Sequence, residues 1–263
     1  MIIDVALSNN FDPESLKVDI ENSVCAVIDV IRATSTIATL FGSGVKSIIV
    51  AGTLDEAYLL KKVFPDRLLC GEKGGLKPGG FDHGNSPLEF STMDLSGRKA
   101  ILKTTNGTVA FLKAAKAPAV FSLAALNFRQ TMEDVLGNAL KNKRDILFLC
   151  SGEMGKIAYD DAYIAGLAVK YLLSKPHDFI YTDSAKLVLS AAIGDRSLTD
   201  ALSKSTSAQS LRGVGLGDDI AFCSRLNGYN LTIRACSTSA PENAGMVGKD
   251  RFTELTLYKR LMI

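Results

Sequence analysis

One stretch constrains the fold more than any other: an apolar run, Val24-Cys-Ala-Val-Ile-Asp29, which leads to Arg32 and then to the hydroxyl residues Thr34, Ser35 and Thr36. A run of this length rich in Val and Ile predicts a buried β-strand, and the spacing of apolar residues after it predicts a helix. In open α/β sheets, ligands bind beyond the carboxyl ends of strands, where helix N-termini favour anions. The stretch therefore predicts an anion-binding site beyond the carboxyl end of this strand, with Arg32 as a bidentate ligand of the anion.

A structural interpretation of the same residues stays open. Hydroxyl side chains at a helix start can cap the helix, and Asp29 can form an ion pair with Arg32 that serves only the fold. The two interpretations differ in what the carboxylate and the guanidinium contact, so the positions of Asp29 and Arg32 decide between them.

The rhythm of buried strand and following helix continues through most of the chain. Strands are predicted at residues 1–7, 47–51, 67–71, 99–103, 120–122, 145–150 and 231–236. Helices are predicted at residues 53–62, 127–141, from 160 onward, and at 185–192, 197–203 and 217–226. The last thirty or so residues carry the weakest sequence signals for strands or helices. This alternation indicates the α/β class, with largely buried strands.

The length of 263 residues suits one α/β domain, 1–263, and two intimately packed halves, about 1–125 and 126–263, stay open as an alternative. A hydrophobic content of 47% with 22% charged residues indicates an ordered globular chain. No apolar stretch is long enough to span a membrane, and the first residues lack the basic flank of a signal peptide, so we expect a cytoplasmic protein. The net charge of +2 argues against a nucleic-acid partner. A homo-oligomer stays open.

Five widely spread cysteines indicate reduced, buried thiols rather than disulfides or a zinc site. The segment 99–112 resembles the opening stretch when Thr108 is placed over Thr36, which predicts an internal duplication of a strand-turn-helix unit. Chance similarity between such units is an equal alternative.

Further polar residues follow the other predicted strands. Glu72 ends one strand and opens a glycine-rich loop, and Asp160 and Asp161 begin a helix after another. Asp218 and Asp219 also precede a predicted helix, without an indicated role. Adjacent helical residues point about 100° apart, so one of Asp160 and Asp161 is expected to face the site. With only two histidines in the chain, the oxygen ligands Asp29, Glu72 and Asp160 or Asp161 suit Mg²⁺.

Familiar phosphate and nucleophile motifs are absent from the sequence. Gly42-Ser-Gly-Val-Lys-Ser lacks P-loop spacing, and no Gly-x-Ser-x-Gly elbow occurs. Asp29 lacks the second aspartate that aspartyl-phosphate phosphatases carry two residues on, because Ile31 stands there.

Four motifs, in order and spacing, resemble the 2-phosphosulfolactate phosphatase family over nearly the whole chain. They are Asp29-Val-Ile-Arg32-Ala-Thr34-Ser-Thr36, Gly84-Asn85-Ser86-Pro87-Leu-Glu89, Thr104-Thr105-Asn106-Gly107-Thr108, and Cys150-Ser151-Gly152 with Asp160-Asp161-Ala. Ser151 and Asp160 depart from the Ala and Glu that we expect in the family. The resemblance implies a three-layer α/β/α fold and a cytoplasmic, Mg²⁺-dependent phosphatase that hydrolyses (2R)-2-phospho-3-sulfolactate to 3-sulfolactate, a step toward coenzyme M.

The expected roles divide the motif residues into three groups. The catalytic group is Asp29, Arg32, Glu72 and Asp161, and the metal ligands are Asp29, Glu72, Asp160 and Asp161. The expected substrate-binding residues are Thr34, Ser35, Thr36, Asn85, Ser86, Thr104, Thr105, Asn106, Gly107, Thr108, Ser151 and Gly152. Asp29 is either a nucleophile or a metal ligand. Two other functions stay open: a phosphatase for another phosphorylated hydroxy acid, and a non-catalytic module that binds a phosphorylated or sulfonated metabolite.

Overall fold

A ten-stranded sheet runs through the computed structural model, which describes residues 1–194, 197–239 and 251–258. Its strands are β1 Ile2–Ala6, β2 Ser23–Ile28, β3 Ser47–Ala51, β4 Leu68–Gly71, β5 Lys99–Lys103, β6 Ala119–Leu123, β7 Asp145–Cys150, β8 Ile180–Tyr181, β9 Ile233–Ser239 and β10 Arg251–Leu257. Their order across the sheet is β4-β5-β3-β10-β9-β6-β2-β7-β1-β8.

The helices of the described residues connect or follow these strands. They are α1 Ala33–Gly42, α2 Leu54–Val63, α3 Pro87–Phe90, α4 Gly107–Ala114, α5 Phe128–Asn142, α6 Tyr159–Leu173, α7 Asp183–Gly194, α8 Leu198–Ser203, α9 Thr206–Gly213 and α10 Asp218–Cys223. Several begin at a side-chain cap; Thr53 Oγ1, for example, accepts the Glu56 N–H at the start of α2.

The antiparallel pair β9–β10 divides the sheet into two parallel groups. β3 pairs in parallel with β5, and β5 with β4, whereas β6, β2, β7, β1 and β8 form the second parallel group. The pairs β3–β10, β10–β9 and β9–β6 are all antiparallel. Three reversals in succession mean that the two parallel groups run in opposite senses along the sheet.

Alternating residues of β2 show that helices cover both faces of the sheet. Val24, Ala26 and Ile28 belong to a core with residues of α5, α6, α7 and α8. Cys25 and Val27 belong to the opposite core, with residues of α1 and α4. All six residues of β2 are buried, which explains why its sequence is continuously apolar instead of alternating. The expected three-layer α/β/α architecture with largely buried strands is therefore confirmed.

Most predicted elements are present, and two kinds of difference remain. Strands β8 and β10 and helices α3 and α9 were not predicted. Four cysteines are buried as expected, but Cys236 is exposed, because it lies on β9 where that strand runs past the part of β6 that pairs with it. All five are free. No helix of the described residues is long and apolar enough to cross a membrane.

The turns after β2 and β5 share a hydrogen-bond pattern. Thr34 Oγ1 donates to the Asp29 carbonyl at 2.8 Å, and Thr108 Oγ1 donates to the Thr104 carbonyl at 2.9 Å. This equivalence places Thr108 over Thr34, two residues from the alignment drawn from the sequence. The internal duplication itself stays a prediction.

Candidate active site

A cleft of about 340 Å³ opens beside the ends of β2, β4, β5 and β7. Its walls carry four carboxylates and one arginine, together with backbone and hydroxyl groups. The lining residues are Asp29, Ile31, Arg32, Glu72, Gly74, Gly75, Asn85, Thr104, Thr105, Asn106, Gly152, Glu153, Met154, Asp161, Ser207, Ser210, Leu211 and Val214. The four sequence motifs thus contribute to one cavity.

Asp29 follows the last residue of β2, as predicted, and only 7% of it is exposed. Its Oδ1 atom accepts the Ala33 N–H, at the start of α1, at 3.0 Å. Its Oδ2 atom points toward the first residue of α4, Gly107. Two helix N-termini therefore meet at this carboxylate, and the positive ends of their dipoles favour negative charge nearby.

Gly107 permits this close approach of α1 and α4. A Cβ atom on Gly107 would lie 2.5 Å from the Ala33 Cβ and 2.6 Å from Asp29 Oδ2, both shorter than a van der Waals contact. Any side chain here would push the two helix starts apart. The close approach of α1 and α4 therefore requires that Gly107 has no side chain.

We expect Gly107→Ala to lower the free energy of unfolding by about 1–3 kcal/mol, because overpacking displaces the helix starts. Activity should fall as Asp29 moves. The matched control is Gly137→Ala in α5, where a Cβ meets nothing within 4 Å. There, alanine should stabilise the helix by about 0.5–1 kcal/mol. Thermal unfolding of both variants checks this, and equal melting temperatures would contradict it.

Glu72 holds the second side of the cleft together. Its Oε2 atom accepts the Gly75 N–H at 2.8 Å and the Thr105 hydroxyl at 3.1 Å, while Oε1 accepts the Thr105 N–H. One carboxylate therefore joins the glycine-rich loop to the turn after β5. Gly75 in turn accepts Arg32 Nη2 on its carbonyl at 2.8 Å, which links Glu72 and Arg32 through one residue.

Two similar turns flank the cleft, one after β4 and one after β7. In each, the first residue donates its N–H to the carbonyl of the fourth, from Lys73 to Leu76 and from Glu153 to Lys156. Both central residues of each turn have positive φ, typical of a type I′ turn: Gly74 60°, Gly75 83°, Met154 52° and Gly155 76°. Met154, a non-glycine residue in this region, projects into solvent at the cleft rim with 74% exposure.

Asp161 faces the cleft, whereas Asp160 lies behind its wall. Both carboxylate oxygens of Asp161 accept main-chain N–H groups, Oδ1 from Val30 at 2.9 Å and Oδ2 from Gly152 at 3.0 Å. Asp160 Oδ1 accepts the Ser207 hydroxyl at 2.9 Å. The helical geometry of the pair thus places one acid in the cleft lining, as the sequence predicted.

The carboxyl groups of the cleft repel one another. Burial raises the pKa of Asp29 to about 7, and the nearby carboxylates of Asp160 and Glu72 contribute to that rise. Burial likewise raises the pKa of Asp160 to about 6. The pKa of Asp161 is also raised, by burial first and then by Asp160 and Asp29. Such a cluster gains stability from any cation that enters the cleft.

Arg32 pairs with Asp219, and not with Asp29. Its Nη1 atom lies 2.7 Å from Asp219 Oδ2, and both side chains are almost completely buried, at 3% and 2% exposure. The structural Asp29–Arg32 ion pair that the sequence left open is therefore absent from the described residues. The Asp29 carboxyl group is therefore not tied to Arg32 by an ion pair.

Several predicted substrate-binding residues support the cleft from behind and do not line it. Their hydroxyls bond internally: Thr34 with Asp29, Ser35 with the Val30 carbonyl, Thr36 with the Asn85 carbonyl, Ser86 with Asp219 and Thr108 with Thr104. Ser151 is buried without a hydrogen-bond partner for its hydroxyl among the described residues. By contrast, Asn85, Thr104, Thr105, Asn106 and Gly152 line the cleft.

The sequence did not reveal one wall of the cleft, and it did not reveal that Arg32 pairs with Asp219. The wall comes from the turn after β7 and from α9: Glu153, Met154, Ser207, Ser210, Leu211 and Val214. Ser205 caps α9 by accepting the Ala208 N–H, a signal that the sequence contained. Asp219 repeats the pattern of acids before a helix already noted at Asp160, although nothing local connects it with Arg32.

The donor set fits a hard cation such as Mg²⁺. The described lining contains no histidine or cysteine, its carboxylates repel one another, and the Asn85 Oδ1 atom is buried without a hydrogen-bond partner among the described residues. Within that part of the chain, no three acidic, histidine or cysteine side chains converge closely enough to hold an ion by themselves. Mg²⁺ usually takes one or two protein carboxylates and completes its shell with water and substrate phosphate, so a Mg²⁺ site would not require three of these side chains to converge.

Comparison with known proteins agrees with the motif pattern. Residues 10–237 match the 2-phosphosulpholactate phosphatase family. A probable 2-phosphosulfolactate phosphatase of Deinococcus radiodurans is 36% identical over 230 residues, 87% of this chain and 92% of the relative. Proteins given the same name in Pseudothermotoga lettingae and Thermus thermophilus are 36% and 34% identical, over 80% and 90% of this chain and 88% and 92% of their own lengths. The chain therefore belongs to the 2-phosphosulfolactate phosphatase family, whose members are phosphoric monoester hydrolases.

Proposed function

We propose that the protein is a Mg²⁺-dependent phosphatase that hydrolyses (2R)-2-phospho-3-sulfolactate to 3-sulfolactate and phosphate. One observation carries the chemistry: a buried carboxylate, Asp29, stands where two helix N-termini meet, beside the guanidinium of Arg32. The names of the relatives support the substrate. The cytoplasmic location, which was expected from the sequence and from the resemblance, stays a prediction, as does the place in coenzyme M formation, which comes from the resemblance alone.

In this proposal the phosphate binds against Arg32 and the starts of α1 and α4. Two N–H groups of Arg32 are used by Asp219 and the Gly75 carbonyl, and a guanidinium has five, so donors remain for phosphate oxygens. Preorganised donors aimed at developing negative charge lower the barrier without reorganisation during the reaction.

One or two of the carboxylates of Asp29, Glu72 and Asp161 would hold the cation together with water and substrate phosphate, and Asp160 would add negative charge from behind the wall. Bound Mg²⁺ would neutralise phosphate charge and lower the pKa of a coordinated water. The hydrogen bonds to Glu72 and Asp161 fix both carboxylates in place before any ligand arrives.

Asp29 has two roles open to it, and we favour the ligand role. Its Oδ1 atom is held by Ala33, so Oδ2 is the oxygen that would bind a cation or attack phosphorus. The second acid of known aspartyl-phosphate enzymes is missing at Ile31. Trapping a phosphoryl group on Asp29 would establish the nucleophile role without changing the site.

We expect Arg32→Lys to lower kcat/KM by about 10- to 100-fold, since an ammonium cannot reproduce planar, bidentate contacts worth ~1–3 kcal/mol. Steady-state kinetics on the folded variant check this. Lys61→Arg, at an exposed ion pair with Asp82, is the matched exchange and should leave kinetics unchanged. Unchanged kinetics in Arg32→Lys would make Arg32 a structural residue.

One feature of the cleft favours a second candidate, a phosphatase for a different phosphorylated hydroxy acid. Ile31, Met154, Leu211 and Val214 form an apolar part of the lining. Arg32 is the single cationic side chain among the described lining residues. A substrate with a hydrocarbon substituent would bury that surface, whereas a sulfonate would gain little from it. A non-catalytic anion receptor is disfavoured, because it gains nothing from four carboxylates.

A phosphate-release screen tests these functions together. The panel contains 2-phosphosulfolactate, 2-phospholactate and 2-phospho acids with larger apolar substituents, each assayed with Mg²⁺ and with chelator. Highest kcat/KM for the sulfonated acid supports the first candidate, and a preference for an apolar substituent supports the second. No phosphate release from any of them, with ligand binding intact, would favour the receptor.

A further inference from the structure

Asp219 joins two walls of the cleft through the two oxygens of one carboxylate. Its Oδ2 atom accepts Arg32 Nη1 at 2.7 Å. Its Oδ1 atom accepts the Ser86 hydroxyl at 2.7 Å and the Leu88 N–H at 3.3 Å. Ser86 caps α3 and directly follows Asn85, which lines the cleft. The carboxylate therefore fixes the guanidinium relative to the Asn85–Ser86 segment.

The guanidinium is held from a second side as well. Nη2 donates to the Gly75 carbonyl at 2.8 Å, so two acceptors on different elements define the plane of the group. The long Arg32 side chain is thereby restricted to few rotamers before a ligand arrives. Its loss of conformational entropy therefore does not lower the affinity for the ligand.

The charges around the cleft give Asp219 a further task. Asp29, Glu72, Glu153 and Asp161 all line the cavity that Arg32 also lines, and a carboxylate is the usual bidentate partner of a guanidinium. Such a pair would consume the donors that an incoming anion needs. In the described residues the ion-pair partner of Arg32 is Asp219, which lies outside the lining.

We propose that Asp219 is a positioning residue: it holds Arg32 in the orientation that presents its remaining N–H groups to a phosphate, and it prevents Arg32 from pairing with the cleft carboxylates. This inference rests on the proposed function, in which Arg32 binds the phosphate. Asp219 itself does not touch the substrate and acts through Arg32.

The neighbouring acid supplies a matched control. Asp218 occupies the same first turn of α10, so the two acids are similarly placed at the helix start, but Asp218 is exposed. Asp218→Asn and Asp219→Asn therefore remove the same charge from the same helix start. Only the second removes the acceptor of Arg32.

The experiment measures two quantities for wild type, Asp218→Asn, Asp219→Asn, Arg32→Ala and the double variant Arg32→Ala with Asp219→Asn. The first is kcat/KM for the best substrate of the screen, and the second is the affinity for inorganic phosphate by calorimetry, which needs no turnover. We expect Asp219→Asn to lose about 10- to 50-fold in both and Asp218→Asn to stay within twofold. In the Arg32→Ala background, Asp219→Asn should cost less than threefold, because its effect passes through Arg32.

Two results would overturn the inference. Values within twofold of wild type for Asp219→Asn would show that Arg32 needs no such support. Losses that multiply in the double variant would assign Asp219 a structural role independent of Arg32. Should Asp219→Asn fail to fold, Asp219→Glu, which keeps the charge and moves it by one methylene, enters the same cycle. If wild type releases no phosphate from any substrate, the proposed function fails, while the phosphate-affinity cycle still decides on Asp219.

Discussion

Asp29→Asn is expected to remain folded and to lose at least about a thousandfold in kcat. The amide has nearly the same shape as the carboxylate and keeps an oxygen for the Ala33 N–H. It has neither the charge that a cation needs nor a nucleophilic oxygen for phosphorus. Measuring kcat and the melting temperature on one preparation separates loss of chemistry from loss of fold.

A second test of this prediction measures the free energy of unfolding as a function of pH, with chelator present to remove metal ions. Because burial raises the pKa of Asp29 to about 7 from an ordinary 3.8, the folded protein keeps a proton that the unfolded chain releases. The contribution of Asp29 to wild-type stability therefore falls as pH rises from about 4 to about 7, and is level above that range. Asparagine does not titrate, so the variant should be at least as stable as wild type at pH 8.

A second buried acid serves as the control. Asp4 in β1 accepts hydrogen bonds from the Lys17 N–H and from the hydroxyls of Thr182 and Ser184, outside the cleft lining. Although burial opposes it, these bonds keep the pKa of Asp4 below its ordinary value. Asp4→Asn should therefore lose stability and keep its turnover per folded molecule. The same behaviour in Asp29→Asn, destabilised but fully active, would defeat the assignment of the site.

Exhaustive chelation is expected to abolish phosphate release, and Mg²⁺ or Mn²⁺ to restore it. Four carboxylates and one arginine line the cleft, so a phosphate dianion meets net negative charge unless a cation enters with it. Titration of chelated enzyme with each metal gives the activity readout. Full turnover in excess chelator would contradict the prediction.

Melting temperature supplies a readout for the metal that does not depend on turnover. A ligand that binds only the folded state raises the melting temperature with its concentration. Mg²⁺ should do so for wild type and far less for Asp29→Asn. A rise of equal size in both proteins would place the ion away from Asp29.

The local parts of the fold were predictable because their physical signals are local. A run of Val and Ile with no polar interruption requires burial on both faces, and β2 is buried throughout. The position of Asp29 after this strand followed directly. Whether Asp160 or Asp161 faces the cleft depended on which face of α6 meets it. Because adjacent helical residues point about 100° apart, the sequence predicted only that one of the two acids would face the cleft.

The rest depended on contacts between distant residues. Asp219 lies 187 residues from Arg32 along the chain, and neither residue carries a local mark of the other. The hydroxyls of Ser35 and Thr36 were expected at the substrate, but a sequence cannot show that carbonyl groups of Val30 and Asn85 take them first. The insertion of β9–β10 between parallel groups likewise leaves no periodic signal, because pairing partners are chosen across the whole chain.

The reversal of strand direction at β9–β10 has a consequence for synthesis on the ribosome. Strands β3 and β6 are complete within the first half of the chain, yet the strands that pair with their inner edges come from its last part. We expect that, until those strands emerge, two rows of backbone donors and acceptors stay unpaired and open to other nascent chains. The lysines that flank β3 and β6, Lys46 and Lys116, place charge beside these open rows, as gatekeeper residues do against aggregation.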